Sequence, residues 1–298
     1  MVDGTAELRR RLAIWAEIKA RGGPDYVEPQ LIKQLRVHRG EQGIYRDNET
    51  TTALAPPGVT VGVLHTGTTY ADDLSADGVI YHYPKTARPG AHDANEIAAT
   101  KACREFGLPL FVVITPPDNP KRRNVRLGWV QDYDDEHGLV LILFSDVQQP
   151  PVPLPPVEET VLEDFALKVS RRSRRQAQVT ARPNQTAFRF NLMKLYGVGC
   201  AVCDIQCQEL LHAAHICPVE ENGSDHPLNG IVFCLNHHRA FDAGLFQIDP
   251  ETLEVKIKRH YSAQGLGLTR TSIRHLRQAP HPEALRWVWS KRGKGLEE

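Results

Sequence analysis

Cys200-Ala-Val-Cys203 and Cys234-Leu-Asn-His237 each set two metal-ligating side chains apart by the same two-residue gap. That gap lets both ligands of one tight turn face a single ion, so the two pairs together can close a tetrahedral zinc site. When all four positions come from the protein, such a site is structural. Residues of a different chemistry lie between and beside the ligands. His215 follows Leu211-His212-Ala213-Ala214, Asn229 sits in a polar turn before Ile231-Val232-Phe233, and His238 comes directly after the last ligand. An imidazole titrates near neutral pH, so it can move protons in water. Cys207 is near enough in sequence to compete as a zinc ligand, whereas Cys103 and Cys217 fall outside the paired spacing.

The stretch from Cys200 to Asp242 resembles the HNH nuclease motif, the ββα-metal fold. The resemblance implies a first strand ending at His215, a loop bearing Asn229, and a helix carrying His238. It also implies roles: His215 as the general base, Asn229 as the residue that orients the base or its strand, and His238 as a ligand of a catalytic divalent metal, Mg2+ or Mn2+. Hydrolysis of a phosphodiester calls for those parts, an activated water and a cation that absorbs charge developing on the phosphate. Many family members carry a metal-binding Asp or His directly before the base, where this chain has Ala214. The missing ligand is then expected from Asp242, four residues after His238 and on the same helix face, or from His212.

These residues need elements to position them. Leu8, Leu12, Trp15 and Ile18 at helical spacing predict an amphipathic helix over Leu8 to Arg21, and Gln30 to Arg36 predicts a second, short one. Gly40 to Thr52 reads as an ordered loop. From Gly58 the texture changes to short apolar runs between turn residues: Val59 to Leu64, Gly78 to Tyr83, Leu110 to Ile114, Leu127 to Tyr133 and Leu139 to Phe144. One helix, Ala94 to Phe106, interrupts them. Beyond the nuclease-like motif, Gly244 to Asp249 and Leu253 to Lys258 predict a hairpin, and the aromatic tail Leu276 to Trp289 is expected to pack on the core.

Within the strand-rich part, Gly58 to Gly67 leads to Tyr70-Ala-Asp-Asp73-Leu and then Asp77-Gly-Val-Ile-Tyr-His-Tyr83-Pro84. Over roughly residues 40 to 147 this resembles the SRA domain, a PUA-like reader that flips a modified cytosine out of DNA. The resemblance implies that Tyr70 and Tyr83 sandwich the base and that Asp73 hydrogen-bonds its polar edge. Stacking on aromatic faces offsets the few kcal/mol, roughly, lost when a base leaves the duplex. Where that family continues with Tyr-Thr-Gly, this chain has Tyr83-Pro84-Lys85-Thr86, which changes a wall of the pocket.

Pro150, Pro151, Pro153, Pro155 and Pro156 make Gln148 to Glu159 a semi-rigid spacer. A short helix is expected around Val161 to Leu167. Lys168 to Lys194 follows without a single acid, and its Arg171, Arg172, Arg174 and Arg175 are candidates for contacts to DNA phosphates. The expected organisation is α+β: a reader domain at 1–147 with a curled sheet or open barrel, a linker at 148–185, and a zinc-stabilised ββα-metal domain at 186–298.

Lys plus Arg equal Asp plus Glu at 36 each, so net charge names no partner. No apolar run approaches the ~20 residues of a membrane span, the N-terminus lacks a signal-peptide core, and six cysteines largely in metal spacing fit a reducing compartment. A cytoplasmic protein is expected. Its function is expected to be a modification-dependent DNA endonuclease, similar to the SRA-HNH restriction enzymes, acting on double-stranded DNA carrying 5-methylcytosine or 5-hydroxymethylcytosine. Two copies would serve the two strands, hence a homodimer. The alternatives are a zinc-containing reader without cleavage, and an HNH nuclease whose N-terminal domain reads another nucleic-acid ligand.

Overall fold

The computed structural model describes residues 4–40, 43–66, 73–86, 88, 90–148, 165–169 and 185–293. The chain divides into two units, Met1–Val152 and Pro153–Glu298, and among the described residues the architecture is α+β. Unit 1 runs α1 (Thr5–Ala20), α2 (Pro29–Gln34), β1 (Ile44–Arg46), α3 (Asn48–Thr51), β2 (Thr60–His65), β3 (Asp73–Leu74), β4 (Gly78–His82), α4 (His92–Glu105), β5 (Leu110–Ile114), β6 (Asn124–Asp134) and β7 (Leu139–Phe144). The strands form one seven-stranded sheet in the order β1-β2-β5-β6-β7-β4-β3. Every neighbouring pair is antiparallel except β2 and β5. A parallel pair needs a long crossover, which β3, β4 and α4 supply. Irregular register at Tyr45/Arg46 and between Val130 and Asp132 curls the sheet.

The apolar run of β5 is continuous because both faces are covered. Phe111 and Val113 meet Ile14, Trp15 and Ile18 of α1, while Leu110, Val112 and Ile114 meet Ala102 and Cys103 of α4. The expected loop at 40–52 holds a strand and a helical turn instead. Ile44 and Tyr45 are apolar enough to be buried, and Ile44 pairs with Val63 along an edge that a loop would have left open.

Helix α1 also differs from expectation in the face it buries. Leu12 is exposed, and the buried stripe is Glu7, Arg11, Ile14, Trp15 and Ile18. Charges enter this core because most of their hydrogen bonds are met; of the buried side-chain atoms of Arg11 and Glu7, only Arg11 Nη2 has no partner among the described residues. Arg11 Nε donates to Glu7 (2.7 Å), and its Nη1 donates to the carbonyls of Thr60 (2.8 Å) and Pro109 (2.6 Å).

Unit 2 contains α5 (Gln185–Tyr196), β8 (Leu211–His215), β9 (Gly230–Cys234), α6 (Leu235–Asp242), β10 (Phe246–Ile248), β11 (Val255–Ile257), the single turn α7 (Ala263–Leu266) and α8 (Pro282–Arg292). The predicted hairpin is β10–β11. Helix α8 buries Ala284, Leu285 and Val288 in the core of unit 2, with Trp287 at its margin. Of the helix expected over Val161 to Leu167, residues 161–164 lie outside the described residues. Residues 165–168 are not helical: Leu167 is buried and Lys168 bridges to Gly223. Among the described residues no helix is long and apolar enough to cross a membrane.

Replacing Arg11 with Met should destabilise unit 1 by about 3 kcal/mol, because two buried carbonyls lose donors and Glu7 loses a partner. Urea unfolding of the full chain, followed by amide exchange at β5, reads the loss. Adding Glu7→Leu should recover much of it, whereas a neutral single variant would remove the buried pair from the account.

Candidate active site and metal centre

Strands β8 and β9 pair antiparallel from Leu211↔Cys234 to His215↔Gly230. This register sets the ligand pairs and the candidate base at opposite ends of one short ribbon. Cys234 ends β9 and caps the N-terminus of α6, so His237 stands on the helix's first turn, facing back toward Cys234. Cys200 and Cys203 come from a turn fastened to β9 by the Ala201 N–H on the Val232 carbonyl (2.9 Å).

Cys200, Cys203, Cys234 and His237 are all buried, and their ligating atoms lie within 4.8 Å of one another. Among the described residues this is the one such group of three or more. The separations are 3.5 Å from Cys200 Sγ to His237 Nδ1, 3.1 Å from Cys234 Sγ to His237 Nδ1, and 4.0 Å between the Sγ atoms of Cys203 and Cys234. Zinc at about 2.3 Å from sulfur and about 2.0–2.1 Å from nitrogen needs ligand atoms about 3.5–3.8 Å apart, so the set fits. His237 Nε2 lies 3.0 Å from the Leu266 carbonyl. A proton on Nε2 satisfies that carbonyl and leaves the Nδ1 lone pair facing the thiols. Burial and the neighbouring thiols push Cys203 up to about 12, so Cys203 stays a thiol until a cation offsets the charge. Cys207 is exposed, bonded to Glu209, and stands apart from the four. Arg270, which spacing gave no reason to single out, donates to the carbonyls of Cys200 (2.9 Å) and Cys203 and thereby holds the turn.

At the other end of the ribbon, Phe188 of α5 stacks on His215, ring centroids 3.8 Å apart and planes 9° from parallel. Gly230 makes this approach possible. A Cβ there would come within 2.5 Å of Phe188 and 2.8 Å of Leu192. The His215 Nε2 atom lies 3.0 Å from Asp225 Oδ1, a carboxylate that sequence reasoning missed. Only the folded loop joins the two, so spacing gave no signal for it.

His238 sits one residue beyond the ligand His237 and turns to a different set of neighbours. Its ring meets His212 edge-on at 5.6 Å, and its Nε2 lies 3.4 Å from Asp242 Oδ2. Burial holds His238 below its ordinary value; Asp242 opposes this, and His212, Arg239 and His215 add to it. The neutral ring that results is the form able to ligate a cation. Asp242 is shared, since Arg292 Nη1 reaches its Oδ1 at 3.2 Å. Both residues weighed as replacements for the absent ligand at Ala214 thus lie beside His238, while Ala214 itself is in the core.

Asn229 is fully buried. Its Oδ1 accepts from the Cys217 N–H (2.9 Å), and its Nδ2 donates to the carbonyls of Cys217 (3.0 Å) and Ser224 (2.8 Å). Its own carbonyl accepts from the Ile216 N–H at 2.8 Å, next to His215. The side chain is occupied within the loop that returns from β8 to β9.

In unit 1, Tyr70 lies outside the described residues, and for Asp73 only the backbone is described, opening β3 opposite Ile80. Tyr83 follows β4; its hydroxyl donates to Asp135 (2.7 Å), and Lys101 Nζ lies 5.6 Å from its ring and 2.5 Å from the same carboxylate. Burial and then Asp135 push the Tyr83 phenol well above its ordinary range, so it keeps its proton. Arg171, Arg172, Arg174 and Arg175 also lie outside the described residues. Arg189, at the end of the same basic run, donates to the carbonyls of Leu211 and Gln208 and braces the start of β8.

Residues 200–249 match the family model described as HNH endonuclease, so unit 2 carries an HNH endonuclease domain. No curated protein matches the chain. Among solved structures, the chain is similar to the modification-dependent TagI restriction endonuclease at 17% identity, with 91% of this chain and 92% of that one covered and a TM-score of 0.31. It is similar to the SUVH5 SRA domain in complex with fully methylated CG DNA at 22% identity, covering 43% of this chain and 90% of that one, TM-score 0.28. It is also similar to the type IV phosphorothioation-dependent restriction endonuclease ScoMcrA at 12% identity, covering 90% of this chain and 59% of that one, TM-score 0.31.

Asn229→Asp should destabilise unit 2 by about 2–4 kcal/mol, because a carboxylate cannot donate to the Cys217 and Ser224 carbonyls and is itself buried. Thermal unfolding and amide exchange at Ile216 and Cys217 check it. A variant of wild-type stability would show that Asn229 does not hold this loop.

Proposed function

We propose that the chain is a modification-dependent DNA endonuclease, a type IV-like restriction enzyme whose N-terminal domain reads modified cytosine and whose HNH domain cuts. The observation that carries the nuclease half is the coincidence of the HNH endonuclease match with a ribbon that holds His215 at one end, sets His212 against His238 of α6, and meets the cluster of Cys200, Cys203, Cys234 and His237 at the other end. In this reading the four-residue cluster holds a structural Zn2+. His238 with Asp242 and His212 would hold a divalent cation, Mg2+ or Mn2+, which when bound supplies positive charge to the scissile phosphate. His215 takes a proton from the attacking water as its oxygen bonds to phosphorus and the P–O bond to the leaving group breaks. Asn229 fixes the loop from which that geometry follows.

The reader half rests on the residue pattern of 58–84. Tyr70 and Tyr83 would stack on a flipped 5-methylcytosine or 5-hydroxymethylcytosine, and Asp73 would accept from its polar edge. Arg171, Arg172, Arg174 and Arg175 would contact phosphates and add affinity without sequence preference. Cutting both strands with one HNH site per chain calls for two copies, hence a homodimer. We place the reader at 1–147, the linker at 148–185 and the nuclease at 186–298.

The test is cleavage of matched unmodified, methylated and hydroxymethylated duplexes in Mg2+ or Mn2+, by the wild type and by His215→Ala. The wild type should cut modified DNA, and the variant should be slower by about 10²–10⁴-fold with zinc content and DNA binding retained. Equal cutting of all duplexes would discard the reader assignment. A wild type that binds modified DNA but cuts none would favour the reader without cleavage, and a fully active His215→Ala would discard the mechanism.

A further inference from the structure

The loop between β8 and β9 does more than return the chain. It carries Asp225 to the edge of His215, with Oδ1 3.0 Å from Nε2. Both neighbours of Asp225 are fixed in the backbone. The Ser224 carbonyl accepts from Asn229 Nδ2 (2.8 Å) and its N–H donates to the Leu167 carbonyl (3.0 Å), while His226 Nδ1 accepts from the Leu228 N–H (3.1 Å). Gly223 belongs to the same arrangement, because a Cβ there would stand 1.8 Å from the Cys217 carbonyl. The loop therefore folds back on itself tightly enough to aim one side chain. On the other side, Phe188 covers a face of the His215 ring at 3.8 Å. With its plane set by the stack and one edge by the carboxylate, the imidazole has little freedom left to rotate.

Resting on the reading of His215 as the base, we propose that Asp225 is its positioning residue and that it selects the working nitrogen. An ionised carboxylate has no proton to give, so a hydrogen bond to Nε2 requires the hydrogen to be on Nε2. That tautomer leaves the lone pair on Nδ1. Water's proton is then taken by Nδ1, its oxygen bonds to phosphorus, the P–O bond to the leaving group breaks, and the imidazolium formed is stabilised by the Asp225 carboxylate. Asn229 enters through the same chain of contacts: it holds Ser224, and Ser224 sets Asp225.

The experiment uses the full chain with Asp225→Asn, Asp225→Glu, His215→Ala and the double variant His215→Ala/Asp225→Asn. Single-turnover cleavage of modified duplex by Asp225→Asn should fall by about 10- to 100-fold, with duplex affinity, Mn2+ affinity and melting temperature unchanged. Asp225→Glu should recover part of the rate. In the His215→Ala background Asp225→Asn should cost nothing further, since it acts through the ring alone. The 15N shifts of His215 should report the Nε2–H tautomer in the wild type and a mixture in Asp225→Asn. A wild-type rate for Asp225→Asn while His215→Ala is dead would overturn this proposal and leave the base in place. So would additive losses in the double variant, an Nδ1–H tautomer in the wild type, or weakened Mn2+ binding whose rate defect disappears at saturating metal. A fully active His215→Ala would remove the base assignment and this proposal together.

Discussion

Three thiols and an imidazole crowded into a buried volume form the constraint on which unit 2 depends. Cys200, Cys203, Cys234 and His237 are withdrawn from water, and burial together with their mutual proximity holds the Cys203 thiol in its protonated form. A divalent cation reverses that balance, because thiols that bind it release their protons to water and four ligands become one cross-link. The cross-link joins the 200–203 turn, the end of β9 and the first turn of α6, which are the three places that fix the ribbon's direction. Metal binding to these four ligands would add folding free energy to the packing of the core around them.

Geometry then propagates from the cluster to the chemistry through short, fixed distances. The β8–β9 register carries it from Cys234 to Gly230, opposite His215. Missing a side chain at Gly230 admits Phe188 onto the ring, and the Asn229 side chain closes the loop that presents Asp225. His238 follows from α6, and His212 meets it from β8. Each step is a backbone pairing, a hydrogen bond or a close ring contact, so the histidines are held by the structure around them.

The residues legible in the sequence were those whose partners are encoded by spacing. Paired two-residue gaps identified all four members of the cluster, and continuous apolar runs between turn residues located β5 and β7 at their observed ends. What escaped was contact across a folded loop or between helix and core. Asp225 and Arg270 belong to the first kind, because nothing near them in sequence marks what they meet. Arg11 belongs to the second: apolar periodicity turned α1 toward Leu12, but carbonyls of Thr60 and Pro109 reward a buried guanidinium that periodicity counts as solvent-facing. Strand β1 escaped because its two buried residues are too few to show a period, and only the β2 edge gives them a place.

The central claim is that the metal cluster organises the ribbon that carries His215. Amide exchange of the full chain, measured by mass spectrometry before and after zinc is stripped with a chelator and its loss confirmed by metal analysis, tests it most directly. Protection at 211–215 and 230–234 should collapse with the metal, while protection at 110–114 in unit 1 stays. Unchanged protection of both ribbon strands in metal-free protein would contradict the claim.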